Sequence, residues 1–555
     1  MPIEILEDRI APASVLVVSL ADSGAGTLRN AITAVDASGD TTNNIIFANT
    51  LHGTILVKSP LPAITNAVTI GGTTNAKIAI DGANKFQIFN VNSSSIDVNI
   101  NDLTFVLGNS LNIGGPTVRG GGAIYVNDYS GTVKINNCTI THNRALGLSG
   151  VTESSGIGGG IFLSAGTLDI TSSKITGNLA EGGHGTAASA SGRSGEGGGV
   201  YVGSSGTLVV TLSTISGNVA LGGNGAPGAR GANGAAMTAG SAGGRGGSGG
   251  AGQGGGVWSY GIASVVKSTV SGNVAAGGRG ANGAAGGNGG VGAAGGNGGG
   301  GGYAGFGQGG GVYSEGTLML NSSTVSGNIA NGNLSGLGGP GGLGARGQRA
   351  GGHGYGQVRS IGEGGGVHAA YGTLELVDTT VARNLADQGG GIFLYENTAT
   401  QLDNSTIAFN KARQGAQGGG LWAYIESSDP VIVISTVIGQ NVTGARGAGQ
   451  DLCVNTGQAI AAYSSLIESF TAGSVTAPDS SLPVLENVSP LLGLLHNNGG
   501  PTWTCLPSSI RSPLIGAGTL PVDTGLPNMP TVSDDQRGHG RVVAGTVDIG
   551  AVEVA

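Results

Sequence analysis

Few charged side chains in this sequence are placed so that they could do chemistry together. Cleavage of a polysaccharide needs paired carboxylates, or a carboxylate beside a basic group or a metal ion. The charged residues of the strand-like segments are scattered over different repeats and strand positions: Lys134, Asp169, Lys267, Glu375, Arg383 and Asp403. We therefore expect no catalytic residue, no metal site and no cofactor, and predict that the chain is not an enzyme.

The phrase Gly-His-Gly occurs at His184, His353 and His539. It is familiar from polygalacturonases, where it accompanies an Asn-Thr-Asp motif that does not occur beside it here. The first two copies lie in glycine tracts and the third lies near the C-terminus. In a chain with 115 glycines, chance accounts for the phrase.

One aromatic or histidine side chain per repeat forms a more regular set. Each follows a glycine pair or triplet and lies between two smaller, mostly aliphatic residues, as Tyr125 lies between Ile124 and Val126. If the flanking residues point inward, the rings point outward along one face: Tyr125, Phe162, Tyr201, Trp258, Tyr313, His368, Phe393 and Trp422. Such an exposed row could bind sugar rings or a protein. Alternatively, the rings bind nothing, because glycine tracts cover them or because they stabilise one another across strands. We prefer this structural interpretation to a binding role.

An asparagine closes each repeat: Asn143, Asn178, Asn218, Asn273, Asn328, Asn384, Asn410 and Asn441. Asparagine tolerates a left-handed backbone better than most residues, and stacked amides can hydrogen-bond to one another. We interpret this set as a structural ladder and not as a binding site.

The unit that carries these residues is a phrase of nearly constant length. It begins with a glycine triplet, continues with short strand-like runs and ends on Ser/Thr-Ile/Val followed by Asn, as in Gly158 to Asn178 and Gly309 to Asn328. Constant rungs separated by variable excursions are typical of a solenoid. Aliphatic residues with period two indicate three short strands per repeat, such as those containing Ile161, Leu168 and Ile175. We predict an all-β fold, a right-handed parallel β-helix.

The N-terminal end of such a solenoid must be covered, because an open end exposes unpaired strands. The segment Asp22 to Ala37 has Leu28, Ala31, Ile32 and Val35 at helical spacing. We predict a capping helix there.

Long glycine tracts leave the repeats. Glycine recurs at every third position from Gly277 to Gly301, with one interruption from Gly222 to Gly252, and imperfectly from Gly332 to Gly362. Period three is that of a polyproline-II-type helix, which has no internal hydrogen bonds. Flexible linkers are the alternative. We predict that the three longest excursions pack side by side as polyglycine-II helices with glycine inward.

Composition limits the partners. The net charge is −8 and Lys and Arg are not clustered, so a nucleic-acid partner is not expected. No apolar run is long enough to span a membrane, and no signal peptide is recognisable. The cysteines Cys138, Cys453 and Cys505 lack metal-type spacing. Cys138 occupies the position at which other repeats have serine, which predicts a buried thiol. Whether Cys453 and Cys505 form a disulfide bond is left open.

Both ends of the chain resemble bacterial surface proteins. The segments DSGAGTLRNAI, IIF and LPAIT resemble the N-terminal region of β-helix surface proteins of the CSLREA and choice-of-anchor type, and the leader LEDRIAPA resembles a motif of bacterial repeat proteins. The segments from Ser489 to Gly518 and from Asp534 to Glu553 resemble the choice-of-anchor Q terminal domain, although LIGAG lacks its usual aspartate. The glycine-triplet rungs resemble those of polymorphic outer-membrane proteins. The resemblance implies an adhesin-like protein located outside the cell or on its surface.

These patterns divide the chain into a leader, a cap with the first rungs, the repeats with their insertions, the last rungs and a terminal region: 1–14, 15–115, 116–445, 446–488 and 489–555. We expect a non-enzymatic structural or adhesive β-helix protein, and self-assembly into an oligomer or filament is a further expectation. Its partners would be cell-surface glycans or other surface proteins. The alternatives are a polysaccharide-binding or polysaccharide-degrading protein and an ice-binding protein.

Overall fold

The structure is a computed structural model that describes residues 13–554, except 73–76, 111–119, 152–153, 188–189, 397–398, 414–417, 426–430, 445–449, 456–457, 472–473 and 521–532. Nearly all of the predicted leader, and with it the LEDRIAPA motif, lies outside the described residues. The remaining predicted regions are described at least in part.

Each repeat forms one turn of a parallel β-helix, which confirms the predicted fold class. Equivalent residues of successive repeats pair in parallel and in register, as Ile161 with Val200 and Ile175 with Ile215. Because side chains alternate between the two faces of a strand, this register stacks each inward aliphatic on its counterpart. Parallel pairing at this register gives every rung the same cross-section.

Two sheets make the long walls of the solenoid. Sheet A contains the strands Ala13–Val17, Asn43–Phe47, Val68–Gly71, Phe89–Ser93, Val98–Asn101, Ile124–Asn136, Ile161–Thr171, Val200–Thr211, Val257–Ser259, Ile262–Val266, Val312–Ser314, Thr317–Asn321, Val367–Ala370, Thr373–Val377, Ile392–Tyr395, Ala399–Asp403, Leu421–Tyr424, Val431–Ile434, Leu452–Val454, Ile460–Tyr463 and Val475–Thr476. Sheet B contains the strands Gly53–Leu56, Ile78–Asp81, Leu103–Val106, Thr139–Thr141, Lys174–Thr176, Thr214–Ser216, Thr269–Ser271, Thr324–Ser326, Thr380–Ala382, Thr406–Ala408, Val437–Gly439, Leu466–Ile467 and Leu485–Glu486.

Two shorter sheets flank the glycine tracts, one where the chain leaves the rung and one where it returns. Sheet C contains the strands Arg144–Leu146, Leu179–Glu181, Val219–Leu221, Val274–Ala276, Ile329–Asn331, Leu385–Ala386 and Lys411–Ala412. Sheet D contains the strands Gly156–Ile157, Gly195–Glu196, Gly252–Gln253, Gly307–Gln308 and Gly362–Glu363.

The interior is one continuous column of aliphatic side chains that runs from Val17 to Ile467. Val257, Val312 and Val367 stack in it and are fully buried. Each such side chain contributes roughly 1.5–3 kcal/mol by leaving water. Since a rung buries these residues only against its neighbours, the rungs depend on one another for stability.

The predicted capping helix is present as Leu28–Asp36 and packs on the first two strands of sheet A. The side chain of Thr27 accepts a hydrogen bond from the backbone N–H of Asn30 and so caps the helix N-terminus. The buried face of the helix consists of Leu28, Ala31, Ile32 and Val35.

The three longest glycine tracts form a lateral lobe of paired extended legs, each pair belonging to one excursion: 222–234 with 240–252, 277–289 with 295–306, and 332–344 with 351–361. We call these pairs the first, second and third layers of the lobe. Corresponding legs of successive layers are hydrogen-bonded at every third residue, as Gly228 N–H to Asn282 O and Gly283 N–H to Leu337 O. Legs that run in opposite directions are also bonded, as Gly302 N–H to Ala281 O. This arrangement is that of packed polyglycine-II helices.

Glycine is required wherever a leg faces another leg. A Cβ atom on Gly302 would lie 2.0 Å from the carbonyl oxygen of Gly247. At Gly300, two residues away on the same leg, a Cβ atom would come no closer than 3.5 Å to a neighbouring atom, the carbonyl oxygen of Tyr355. The three-residue period therefore reflects close backbone packing, and the tracts are not flexible linkers.

The C-terminal region folds back over the outer face of sheet B. Leu492, Leu495, Cys505 and Leu514 pack there in a second hydrophobic cluster, which includes Val437 of sheet B. The side chain of Gln536 is buried and joins three segments: its Nε2 donates to Ser323 O and Thr502 Oγ1, and its Oε1 accepts from Thr380 Oγ1. Arg541 is fully buried and forms an ion pair with Asp378. Cys138, Cys453 and Cys505 are all free.

Candidate functional site

The aromatic residues that follow the glycines form one continuous stack along sheet A. The order is Tyr125, Phe162, Tyr201, Trp258, Tyr313, His368, Phe393 and Trp422, and neighbouring ring centroids lie 4.5 to 5.8 Å apart. The parallel register of the strands places each ring beside the next, as Trp258 beside Tyr313 and Phe393 beside Trp422.

The row is not exposed, and this part of the sequence expectation is wrong for its central members. Phe162, Tyr201, Trp258, Tyr313, His368 and Phe393 are only 1 to 9% exposed, whereas Tyr125 and Trp422 at the two ends are half-buried. Rungs are about 4.8 Å apart, so most ring faces are turned toward the next rung and are already covered. The edge of the Tyr260 ring packs on Trp258 at 4.0 Å between centroids. Ligand binding by the row stays a prediction.

A polar ladder that the sequence analysis missed runs beside the aromatic row on sheet D. Gln253 Nε2 donates to Gln308 Oε1 at 2.8 Å, and Gln308 Nε2 donates to Glu363 Oε2 at 2.8 Å. Burial raises the pKa of Glu363 and lowers the pKa of the neighbouring His368 to about 3, so that the imidazole stays neutral. The sequence could have revealed this ladder by position, because each of its members directly precedes a glycine triplet.

Carboxylates and tyrosines gather at the middle of the row. Tyr313 Oη donates to Glu315 Oε1 at 2.6 Å. Burial, together with the charge of Glu315, raises the pKa of Glu196 to about 7, and the same two causes raise the pKa of Tyr260 to about 12. A carboxyl group with a pKa near 7 exchanges its proton readily at neutral pH, which is what general acid–base catalysis requires, although burial alone also produces such a shift.

The asparagines that close the repeats form a continuous buried ladder. Asn273 Oδ1 accepts hydrogen bonds from the backbone N–H of Asn218 at 2.9 Å and from Asn218 Nδ2 at 3.0 Å. Its own Nδ2 donates to Asn328 Oδ1 and to the carbonyl oxygen of Ile215. The same pattern joins Asn143, Asn178, Asn218, Asn273, Asn328, Asn384, Asn410 and Asn441. All eight are at most 4% exposed, so their amides serve the rungs.

A second buried ladder lies at the corner between sheets A and B. The hydroxyl of Ser213 accepts the backbone N–H of Ser173, and the hydroxyl of Ser173 accepts the backbone N–H of Cys138. Cys138 is 2% exposed, and burial raises the pKa of its thiol to about 12. It is therefore a structural thiol, which agrees with its place in the repeat.

The six scattered charged residues are not gathered in one cluster, and Lys267 lines a pocket of about 240 Å³ with Asp378, Asp534 and Asp535. Lys134 and Asp169 are cross-strand neighbours on sheet A. Asp403 is only 1% exposed and its Oδ2 accepts from Gln401 Nε2 at 2.7 Å, while burial raises its pKa to about 7. Within the described ranges, no three His, Cys, Asp or Glu side chains are grouped so that they could hold a metal ion.

The two ends of the lobe carry unpaired backbone groups of opposite kinds. Between the first and second layers, Gly231 N–H donates to Ala285 O, and between the second and third layers, Gly286 N–H donates to Pro340 O. The corresponding N–H groups of the third layer, at Gly338 and Gly341, have no acceptor among the described residues. The third layer thus ends the lobe with a row of donors.

The first layer ends the lobe with a row of acceptors. In the second layer, the carbonyl oxygens of Asn282 and Ala285 accept hydrogen bonds from the first layer. The corresponding oxygens of the first layer, at Pro227, Arg230 and Asn233, have no donor in the part of the chain that the structure describes. Donors at one end and acceptors at the other repeat every three residues.

The third layer also exposes large apolar side chains. Leu337 and Leu343 are each 69% exposed, Tyr355 is 86% exposed and Val358 is 81% exposed. At the positions that match the two leucines, the second layer has Asn282 and Asn288, whose side chains accept backbone N–H groups of the third layer.

No protein-family model matches the sequence, and no curated protein matches it. Among solved structures, the crystal structure of the Dettilon tailspike protein (gp208) is similar to 83% of this chain, with a TM-score of 0.32 and 12% sequence identity. The chain spans 64% of the length of that protein. A likeness at this identity and TM-score does not bear on function. Among the helices that the structure describes, none is long and apolar enough to cross a membrane.

Proposed function

We propose that this chain is a non-enzymatic structural and adhesive protein of the cell surface, a stiff β-helix whose lobe joins one copy of the chain to another. The observation that carries the proposal is the pair of unpaired edges on the lobe, donors at Gly338 and Gly341 and acceptors at Pro227, Arg230 and Asn233. An extended edge with unpaired backbone groups pairs readily with another chain. Here the complementary edge belongs to the same protein.

The lobe leaves room for this contact. A short leg of the preceding rung covers only the base of the first layer, where Gly185 N–H donates to Asn224 O. Farther out, Ala229, Arg230, Ala232 and Asn233 of the first layer are exposed. A second copy whose legs run in the opposite direction can lay its third layer there while its β-helix stays beyond the tip. Opposed legs are already hydrogen-bonded within the lobe, as at Gly302 and Ala281.

The surface location and the family are supported by the resemblance of the chain ends to β-helix proteins of the CSLREA and choice-of-anchor Q type. A non-enzymatic role is supported by the scatter of charged residues over the rungs and by the burial of the aromatic row. We expect no release of reducing ends or unsaturated products from acidic or neutral polysaccharides. Turnover that is lost in Glu196→Gln and Glu315→Gln would contradict this part of the proposal.

Self-association is tested with two variants, one for each end of the lobe. Leu337→Glu with Leu343→Glu places charge at the third layer. Ala229→Glu with Ala232→Glu places charge at the exposed outer side of the first layer. We expect the wild-type protein to form oligomers whose size rises with concentration in light scattering, because every added copy leaves one free end of each kind, and we expect each variant to be monomeric.

Mixing the two variants decides the geometry. Each variant retains one intact end, so the intact third layer of one can join the intact first layer of the other, and we expect pairs to return. Wild-type protein that stays monomeric at high concentration, or a mixture that stays monomeric, would overturn the proposal. The melting temperature of each variant serves as the control for folding.

A further inference from the structure

A pocket of about 380 Å³ opens on the outer face of sheet B, where the C-terminal region meets the rungs. It lies outside the aromatic row, the asparagine ladder and the lobe. One wall is formed by the strands Thr269–Ser271 and Thr324–Ser326, and the other by Leu495 and Trp503. Its volume is that of a site for a small molecule or for one or two sugar units.

Trp503 presents an ordered ring to this pocket. The side chain is 53% exposed, and the ring of His496 stacks on it with 6.3 Å between centroids. The residue is held through its backbone, because its carbonyl oxygen accepts hydrogen bonds from Thr324 Oγ1 at 2.6 Å and from Gln536 Nε2 at 3.3 Å. An indole that is fixed in place but partly open to solvent is suited to stack on the apolar face of a sugar ring.

The opposite wall supplies hydroxyl groups in a fixed array. Thr269, Ser271 and Ser326 line the pocket from two adjacent rungs. Since the strands pair in register, Ser271 lies beside Ser326, and the spacing of the array is set by the β-helix. Hydroxyl groups both donate and accept hydrogen bonds, as the hydroxyl groups of a sugar require.

Arg383 provides the charge. It is the one charged residue among the described residues that line the pocket, and none of them is Asp or Glu. Its backbone has φ of 59°, at the corner where the two preceding rungs have Gly327 with φ of 64° and Gly272 with φ of 61°, and where the two following rungs have Phe409 and Gln440, also with positive φ. An L-residue is unfavourable in this left-handed region, so the arginine costs stability at a position where glycine would not. Gly327, which lines the pocket together with Arg383, leaves open space there, because a Cβ on it would meet no atom closer than 4.0 Å.

We propose that this pocket binds the carboxylated sugar of an acidic polysaccharide, with Arg383 on the carboxylate and Trp503 against the sugar ring. A guanidinium binds a carboxylate through two parallel hydrogen bonds, which favours it over a neutral group in the same place. The net charge of −8 does not prevent this contact, since charges farther than about 8 Å are largely screened at physiological salt. This site is independent of the lobe and does not rest on self-association.

The test uses the full-length protein and three probes in isothermal titration calorimetry: a trimer of galacturonic acid, the neutral trimer of galactose and a sulfated galactose trimer. We expect the galacturonate trimer to bind most tightly, and the neutral trimer to bind at least about tenfold more weakly. Equal affinity for the neutral trimer would overturn the role of Arg383. Equal affinity for the sulfated trimer would overturn the assignment to a carboxylate.

Two variants connect binding to the pocket. Arg383→Gly introduces the residue of the preceding rungs and should fold as well as the wild type while its affinity for the galacturonate trimer falls about 10- to 100-fold. Trp503→Ala keeps the backbone contacts and should reduce affinity for the same probe about tenfold. Arg349→Gly and Tyr129→Ala are matched controls at exposed positions elsewhere and should bind as the wild type does. Unchanged affinity in Arg383→Gly and Trp503→Ala, or no binding of the galacturonate trimer by the wild type, would overturn the proposal.

Discussion

Tyr201 and Trp258 stack face to face on adjacent rungs, with 4.5 Å between ring centroids and 1° between ring planes. Parallel pairing in register brings them together, since Tyr201 pairs with Trp258 along sheet A. The stack turns each ring face toward another ring and leaves little of either ring in contact with solvent. The aromatic row therefore resembles a second core on the outer side of sheet A.

Replacement of Trp258 by alanine is expected to destabilise the protein by about 3–5 kcal/mol, because it removes the largest fully buried side chain and leaves a cavity between Tyr201 and Tyr313. Denaturant unfolding measures the loss. Tyr355→Ala, at a ring that is 86% exposed, is the control and should change stability by less than about 0.5 kcal/mol. Equal stability of Trp258→Ala and wild type would mean that the row is not packed as described.

Replacement of Asn273 by alanine is expected to cost about 2–4 kcal/mol. The change removes the acceptor for two hydrogen bonds from Asn218 and the side-chain donor to the buried carbonyl oxygen of Ile215. Ser271→Ala changes an outward-facing side chain of the same rung and should be nearly neutral. Similar unfolding midpoints for the two variants would contradict the claim that the asparagine ladder stabilises the rungs.

The lobe predicts opposite outcomes for two glycines on one leg. Gly302→Ala places a Cβ 2.0 Å from the carbonyl oxygen of Gly247, a backbone atom that cannot move away alone. We expect a loss of at least about 1–3 kcal/mol and faster amide exchange in the neighbouring legs. Gly300→Ala meets only an atom at 3.5 Å and should leave exchange unchanged. If both variants exchange like the wild type, the legs are not packed against each other.

Glu196 predicts a pH-dependent effect. Its pKa is raised from 4.5 to about 7 in the folded protein, so ionisation costs stability above pH 7 and the cost disappears below about pH 4.5. Glu196→Gln should therefore stabilise the protein at pH 8, by up to about 3 kcal/mol, and should have little effect at pH 4.5. Unfolding by urea at both pH values checks this. A stabilisation that is the same at both pH values, or larger at pH 4.5, would assign the effect to packing and not to charge.

Much of the fold could be predicted because it is periodic. The recurrence of the phrase from Gly158 to Asn178 predicted the rungs, and helical spacing from Leu28 to Val35 predicted the cap. The three-residue glycine period predicted packed polyglycine-II legs. Each of these sequence patterns reflects a local backbone conformation, and that conformation recurs wherever the pattern recurs.

The candidate sites were predicted less well, because they depend on what covers a surface. Alternation placed the aromatic side chains outside the core, but it carried no information on the neighbours that bury Trp258. The Gln253–Gln308–Glu363 ladder was missed because the residue before the glycine triplet changes type between repeats, as from Ile157 to Glu196, whereas the closing asparagine does not.

The amino-acid sequence by itself determined the rung, its inward aliphatics, its closing asparagine and the polyglycine-II period of the lobe, since short-range sterics and side-chain alternation act within a few residues. Only the tertiary structure decided which surfaces stay open. The fold-back of the C-terminal region brings Trp503 beside Arg383, 120 positions apart in sequence. Stacking of the excursions leaves donors free at one end of the lobe and acceptors at the other. Contacts between such distant segments depend on the path of the whole chain, which no local pattern contains.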